Sequence, residues 1–205
     1  MAEKKYYIDY LKKTDKFPQS VYHKAKHTVV RNILNGQSQG SLVLDAACGI
    51  GNVTSKYCNN YSIVGIDEQL SALEYCCDHH SGKYVQGDLY FLPFTNSCFD
   101  LILFLDSIEH FTNPTLALKE LARVLKTGGR IVICTINYNN LLWYILENIW
   151  HRFWGGSCKT FSKDVHPTRY NIKLLQLHCD QFFKEVSFEK RIMKMELFYI
   201  GEKIS

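Results

Sequence analysis

Three carboxylates fall at equivalent places along this chain. Asp45 closes the apolar run Ser41-Leu42-Val43-Leu44-Asp45, Asp67 closes Tyr61-Ser62-Ile63-Val64-Gly65-Ile66-Asp67, and Asp88 closes Lys83-Tyr84-Val85-Gln86-Gly87-Asp88. Between the first two lies Ala46-Ala47-Cys48-Gly49-Ile50-Gly51. Glycines at such a turn let the backbone approach a ligand closely, and a helix beginning near Asn52 would offer unpaired N–H groups. The ligand is not a chain of phosphates. Thr54 stands where a dinucleotide fingerprint has its third glycine, no Gly-Lys-Ser/Thr follows, and Asp45 would repel a pyrophosphate. The turn instead favours a nucleoside that carries positive charge. Asp67, sixteen residues after Gly51, is placed to accept from ribose hydroxyls. Asp88 is placed to accept from an exocyclic amine, with the Leu89 N–H beside it as donor.

These acids need strands to carry them, and the pattern provides strands alternating with helices. Runs ending at Asp45, Asp67 and Asp88 read as three strands, Phe99 to Phe104 as a fourth and Arg130 to Ile136 as a fifth. Helical spacing appears from Gln69 to about His80 and from Pro114 to Leu125, the latter opened by proline and stopped by Gly128-Gly129. Nearly continuous apolar strands with helical crossovers predict an α/β fold, a doubly wound, mostly parallel, Rossmann-like sheet of seven strands with its ligand crevice at the strand carboxyl ends. The tail differs. Tyr170 to Cys179 reads as a helix, and Phe182–Phe188 and Arg191–Ile200 as strands joined near Glu189-Lys190, too short a link for anything but an antiparallel hairpin.

Four ordered motifs carry a resemblance. Val43-Leu44-Asp45-Ala46-Ala47-Cys48-Gly49-Ile50-Gly51, Val64-Gly65-Ile66-Asp67, Gly87-Asp88-Leu89-Tyr90-Phe91-Leu92-Pro93-Phe94 and Phe99-Asp100-Leu101-Ile102…Ile108-Glu109-His110-Phe111 resemble those of class I S-adenosylmethionine-dependent methyltransferases. The likeness is to the type 11 group, which includes the quinone-biosynthesis enzymes, and Leu121-Ala122-Arg123-Val124-Leu125-Lys126-Thr127-Gly128-Gly129 extends it. Ala47 stands where glycine is frequent and Ile50 where threonine is frequent. The resemblance implies S-adenosyl-L-methionine as cofactor. Gly49 and Gly51 would pack against it, Asp45, Leu105 and Asp106 would border its methionine part, Asp67 would hold the ribose, and Asp88 and Leu89 would read the adenine.

Methyl transfer from a sulfonium needs an aligned nucleophile and, where that nucleophile carries a proton, a base. His110 after the fourth strand is the first candidate, though a structural role competes with it. His166 and Tyr170, in the segment Asp164–Tyr170 expected to cap the pocket, are the others. The Asn/Asp-Pro-Pro-aromatic of adenine-N6 and glutamine-N5 methyltransferases is replaced by Leu105-Asp106-Ser107-Ile108, and no Pro-Cys pair offers cytosine-C5 chemistry. Nucleic acid is thus disfavoured, and the expected acceptor is a small or lipid-like molecule methylated on oxygen or nitrogen. Two rivals stay open: a non-catalytic S-adenosylmethionine-binding regulatory partner, and a nicotinamide-dependent oxidoreductase. Cys76-Cys77-Asp78-His79-His80 does not predict a metal site, because adjacent helical residues point about 100° apart.

Composition agrees with one domain over 1–205, an N-terminal helical cap over 1–38 and a lid or substrate insertion over 137–170. The chain has 205 residues, 46% hydrophobic and 21% charged, which excludes disorder and low complexity. Scattered cysteines and no hydrophobic signal core after Met1 predict a cytoplasmic protein with reduced thiols. Charge is uneven: residues 1–31 carry eight Lys/Arg against three Asp/Glu, 32–150 six against eleven, and 151–205 ten against six. An acidic middle suits a cationic cofactor. Helices are expected at roughly 4–13 and 20–35. Residues 139–154 hold all three tryptophans and mostly apolar neighbours, which suits a lid, an apolar substrate pocket or a peripheral membrane contact.

Overall fold

A computed structural model describes residues 19–145, 148 and 165–204. Its sheet has the strand order β3-β2-β1-β4-β5-β7-β6. The strands are β1 (Leu42–Ala46), β2 (Ser62–Asp67), β3 (Lys83–Gln86), β4 (Phe99–Leu105), β5 (Leu125–Ile136), β6 (Phe183–Arg191) and β7 (Glu196–Lys203). The first five pair in parallel and the last two antiparallel, β7 lying between β5 and β6. The expected seven-stranded architecture with an antiparallel end is the one observed.

Alternation along the strands explains why both faces must be covered. Val43, Leu101 and Leu103 point to one face, where Val29, Val30 and Leu34 of α1 (Gln19–Asn35) cover them. Leu44, Ile102 and Phe104 point to the other, against Leu118 and Leu121 of α3 (Pro114–Val124) and Leu175 of α5 (Ile172–Cys179). α2 (Leu70–His79) joins β2 to β3. β1 pairs with β2 on one side and β4 on the other, so the winding direction reverses there and a crevice opens at the strand carboxyl ends.

Three expectations need correction. The helix beginning near Asn52 is absent: residues 52–61 form turns around one 3-10 segment, Ser55–Tyr57. Asn52, Val53, Thr54, Asn59 and Asn60 are all weak helix formers, and Asn59 and Asn60 favour turns. β5 starts at Leu125, so Gly128 (φ +74°) and Gly129 sit within it, opposite a register shift between Phe99 and Leu101, and the helix has already ended at Val124. The hairpin does not turn at Glu189-Lys190. Pairing continues to Arg191–Glu196, and Ile192, Met193 and Lys194 make the turn, all with positive φ. Asn137 and Asn140 side chains hold the carbonyls of Lys194 and Met193, each at 2.9 Å.

Within 139–154, α4 (Leu141–Ile145) buries Trp143 against Ile136 and Met195 and exposes Leu141, Tyr144 and Ile145. Trp150, Trp154 and the helix expected at 4–13 lie outside the described residues. Among the described residues, no helix is long and apolar enough to cross a membrane.

Candidate active site

The crevice has a volume of ≈ 590 Å³ and is lined by Asp45, Gly49, Asp67, Asp88, Leu89 and Asp106, with His110 on a further wall. Its floor is the turn after β1, where Ala47, Gly49 and Gly51 all take positive φ (58°, 53° and 69°). Ala47 therefore holds a conformation that suits glycine, its Cβ costing about 1–2 kcal/mol. Asp67 fastens this turn to the next helix. Its Oδ2 accepts from the Gly49 N–H at 2.8 Å and its Oδ1 from the Gln69 N–H at 2.9 Å. A carboxylate has about four acceptor sites, so ribose hydroxyls still find lone pairs there.

Asp45 is 5% exposed and accepts a bond from the Thr54 hydroxyl. Burial pushes its carboxyl up to about 7, Thr54 opposing and Asp67 adding to the rise. Asp88 is exposed and accepts from the Tyr90 N–H at 2.8 Å, while Leu89 is buried beside it. Gly51 does not line the crevice. A side chain there would crowd His80 (3.3 Å) and Cys76 (3.5 Å), so this glycine lets the turn pack on α2.

Leu105 and Asp106 leave β4 at the opposite wall, Asp106 with φ +49°. Sequence reasoning missed its partner, Lys26 of α1. The Lys26 ammonium bonds the Asp106 carboxylate and lies 3.6 Å from Glu196, with only 4% of the lysine exposed. Burial works against that ammonium, but Asp106 and Glu196 outweigh it and hold Lys26 above its ordinary value. Burial alone would also raise Asp106, yet Lys26 brings it below the usual carboxylate range. The legible signal was a lysine three and four residues before Val29 and Val30, on the apolar stripe of its helix.

Of the three predicted bases, the structure brings His110 and His166 together and places Tyr170 apart. His110 lines the crevice, and its Nδ1 lies 2.9 Å from the Val165 carbonyl. A carbonyl only accepts, so Nδ1 carries the proton and Nε2 the lone pair. Partial desolvation lowers its pKa. His166 is 3% exposed, stands behind His110 with ring centroids 4.5 Å apart, and bonds the Tyr138 hydroxyl through Nδ1. Burial, His110 and Arg169 bring it down to about 3. Tyr170 corrects the expectation placed on it: it is fully buried in the core, its hydroxyl 3.0 Å from His178 Nδ1, and does not reach the crevice. Glu109 was also missed as a participant. Buried beneath His110, it accepts from Thr135 Oγ1 at 2.8 Å, and burial together with Asp106 pushes it up to about 8.

In Cys76-Cys77-Asp78-His79-His80 the side chains go to separate partners. Cys76 meets the Gly49 carbonyl, His79 stacks on Tyr75 and His80 reaches the Ile50 carbonyl. The crevice thus offers carboxylates, a glycine cradle and one buried ammonium, a donor set that fits a nucleoside bearing a sulfonium and an amino-acid end.

Residues 44–133 match the model of a family described as a methyltransferase domain. The chain is 30% identical over 181 residues to a demethylmenaquinone methyltransferase of Thermotoga maritima, covering 79% of this chain and 78% of that one. It is 29% identical over 161 residues to a ubiquinone/menaquinone biosynthesis C-methyltransferase of Teredinibacter turnerae, covering 72% and 65% respectively, so the match spans just under two thirds of that relative. Among solved structures, a chain from the complex between the Haloferax volcanii Trm112 methyltransferase activator and a methyltransferase superposes with a TM-score of 0.78 at 15% identity, covering 98% and 97% of the two chains. A protein from Pyrococcus horikoshii gives 0.72 at 18% identity, covering 94% and 96%. Fold, crevice and relatives agree: the chain belongs to the class I S-adenosylmethionine-dependent methyltransferases, in the quinone-biosynthesis-like group, and S-adenosyl-L-methionine is its cofactor.

Proposed function

We propose that this enzyme methylates oxygen or nitrogen of a small, apolar acceptor. The observation that carries the reading is a carboxylate-lined donor crevice that also presents the imidazole of His110, from the turn after β4, on its wall. Bound in the crevice, S-adenosylmethionine supplies an electrophilic methyl group on a sulfonium. Asp67 would hold the ribose hydroxyls, Asp88 and the Leu89 N–H the adenine, and Gly49 the close approach of the chain. Asp45, Leu105 and Asp106 would border the amino-acid end, with Lys26 near enough to Asp106 to balance its charge.

On the acceptor side, His110 is backed by His166 and Glu109. His110 is neutral at physiological pH with an Nε2 lone pair, so it can take the proton of an acceptor hydroxyl or amine, while His166 holds its ring in place. The apolar character of the acceptor is supported by the exposed Leu141, Tyr144 and Ile145 of α4. We assign residues 137–170 and the N-terminal 1–38 as the gate over this pocket, with 139–154 also able to rest on a membrane surface. The relatives named for ubiquinone and menaquinone biosynthesis favour a second reading, carbon methylation of a quinone precursor.

A labelled-methyl assay over phenols, hydroxyquinones and amines tests this, with His110→Ala as control. Methylated product whose O–CH3 or N–CH3 linkage is read by mass spectrometry supports the first reading, ring C–CH3 the second. Tight donor binding without turnover on any acceptor class would favour a regulatory module.

A further inference from the structure

Behind the acceptor wall, Glu109, His110 and His166 each place a ligand atom within 4.8 Å of the other two. Two come from the 3-10 turn Ile108–His110 after β4 and one from the segment before α5. The two segments are pinned together: the Thr168 N–H reaches the Glu109 carbonyl at 3.3 Å, and its hydroxyl reaches the Phe111 carbonyl at 3.0 Å. Each candidate ligand is also held from its far side. Thr135 bonds Glu109 Oε2 at 2.8 Å, Val165 engages His110 Nδ1 at 2.9 Å, and Tyr138 engages His166 Nδ1. This is the outer support that metal-binding imidazoles and carboxylates require, with Nδ1 of each ring engaged.

A second cluster, Asp106, Cys134 and Glu196, is already served by the Lys26 ammonium, which touches both carboxylates. In the first cluster, no lysine or arginine among the described residues ion-pairs with Glu109, while Arg169 lies over the Tyr138 ring at 4.7 Å and acts on His166 electrostatically. Ligand atoms on one ion with bonds of about 2.0–2.2 Å lie roughly 3.3–3.5 Å apart, so the cluster closes on a metal through side-chain rotation of about an ångström.

We propose that Glu109, His110 and His166 form a three-ligand site for a divalent transition metal with an open position toward the acceptor. Two imidazoles and one carboxylate select zinc, cobalt, manganese or iron over magnesium, which prefers oxygen ligands throughout. Three protein ligands leave room for an exchangeable group, as catalytic and not structural sites do. His110 lines the crevice, so an acceptor oxygen in the crevice would meet the ion on that side. With the ion bound, His110 Nε2 is a ligand and no longer a base, and the cation takes over stabilising the acceptor's anion. Only that last role rests on the methyl-transfer reading; the site itself rests on the geometry.

The test uses the full chain, stripped with chelator and titrated with Co2+ without methyl donor. Expected are one saturable equivalent, a visible d–d band of tetrahedral intensity, displacement by Zn2+, and no displacement by equimolar Mg2+. His110→Gln, at an exposed position, should keep the fold and weaken Co2+ binding at least tenfold, and Glu109→Gln and His166→Asn should do the same. Thr135→Val, which leaves all three ligands in place, should weaken it by a smaller factor. Absence of saturable Co2+ binding, Mg2+ binding in its place, or binding unchanged in His110→Gln but lost in a Cys77→Ser/His79→Gln double variant would overturn the site. Calorimetry with S-adenosylhomocysteine on the same samples separates the two readings: donor binding without metal binding sinks the metal site alone, and metal binding without donor binding sinks the methyl-transfer reading alone.

Discussion

Replacing Asp67 by Asn keeps the shape of the side chain and removes its charge, which isolates what the carboxylate does. Asp67 is 8% exposed and accepts two backbone N–H bonds, from Gly49 at 2.8 Å and Gln69 at 2.9 Å. An amide has one oxygen, so one of these bonds is lost and an amino group is turned toward an N–H. Bonds to a charged group contribute about 1.5–3 kcal/mol, and an unsatisfied buried donor costs about 1–3 kcal/mol, so a loss of roughly 2–4 kcal/mol of stability is expected. The donor is hit separately. Charged acceptors form bonds about twice as strong as neutral ones, so two ribose contacts lose on the order of 3 kcal/mol together, about a hundredfold in affinity. Urea unfolding gives the first number and calorimetric titration with S-adenosylhomocysteine gives the second, at a temperature where the variant is folded. A folded Asp67→Asn protein whose donor affinity stays within threefold of the parent would refute the assignment of the ribose to this carboxylate.

Other outcomes follow from the same physics. Asp45 gives up its proton near pH 4 in the unfolded chain and near 7 in the fold, so the folded state binds that proton more tightly and stability without ligand falls as pH rises from about 4 to 7. The cationic donor needs the ionised form, so its affinity should rise about tenfold from pH 6 to pH 8, and Asp45→Asn should flatten that profile. Lys26→Met leaves Asp106 and Glu196 without their buried ammonium and should cost about 3–5 kcal/mol in urea unfolding, with Glu196→Gln added to it restoring part of the loss. Tyr170→Phe should lower stability by about 1 kcal/mol through the lost His178 contact and leave kcat and KM for methyl transfer unchanged.

The strands were legible because both sheet faces are covered, which forces runs such as Leu101-Ile102-Leu103-Phe104 to be apolar throughout. The acids at their tips were legible for the same reason, since a carboxylate ending such a run has little to do but face a ligand or cap a helix. Where tertiary context decides, the reading failed. The turn at Ile192–Lys194 is made by residues that avoid positive φ, and it is held by Asn137 and Asn140 from more than fifty residues away. Glu109 and His166 meet across more than fifty residues that no local spacing links, and Lys26 sits on an apolar stripe that does not say which carboxylates it will meet. Tyr170 was misplaced because proximity to His166 in the chain does not fix the side to which its ring turns.

A crystal structure with S-adenosylhomocysteine is the most direct test of the account. The adenosine should lie over the Gly49 turn, with both ribose hydroxyls on Asp67, the adenine beside Asp88 and Leu89, and the sulfur opening toward His110. The same compound lodged elsewhere, or held in the crevice by side chains other than these carboxylates, would contradict it.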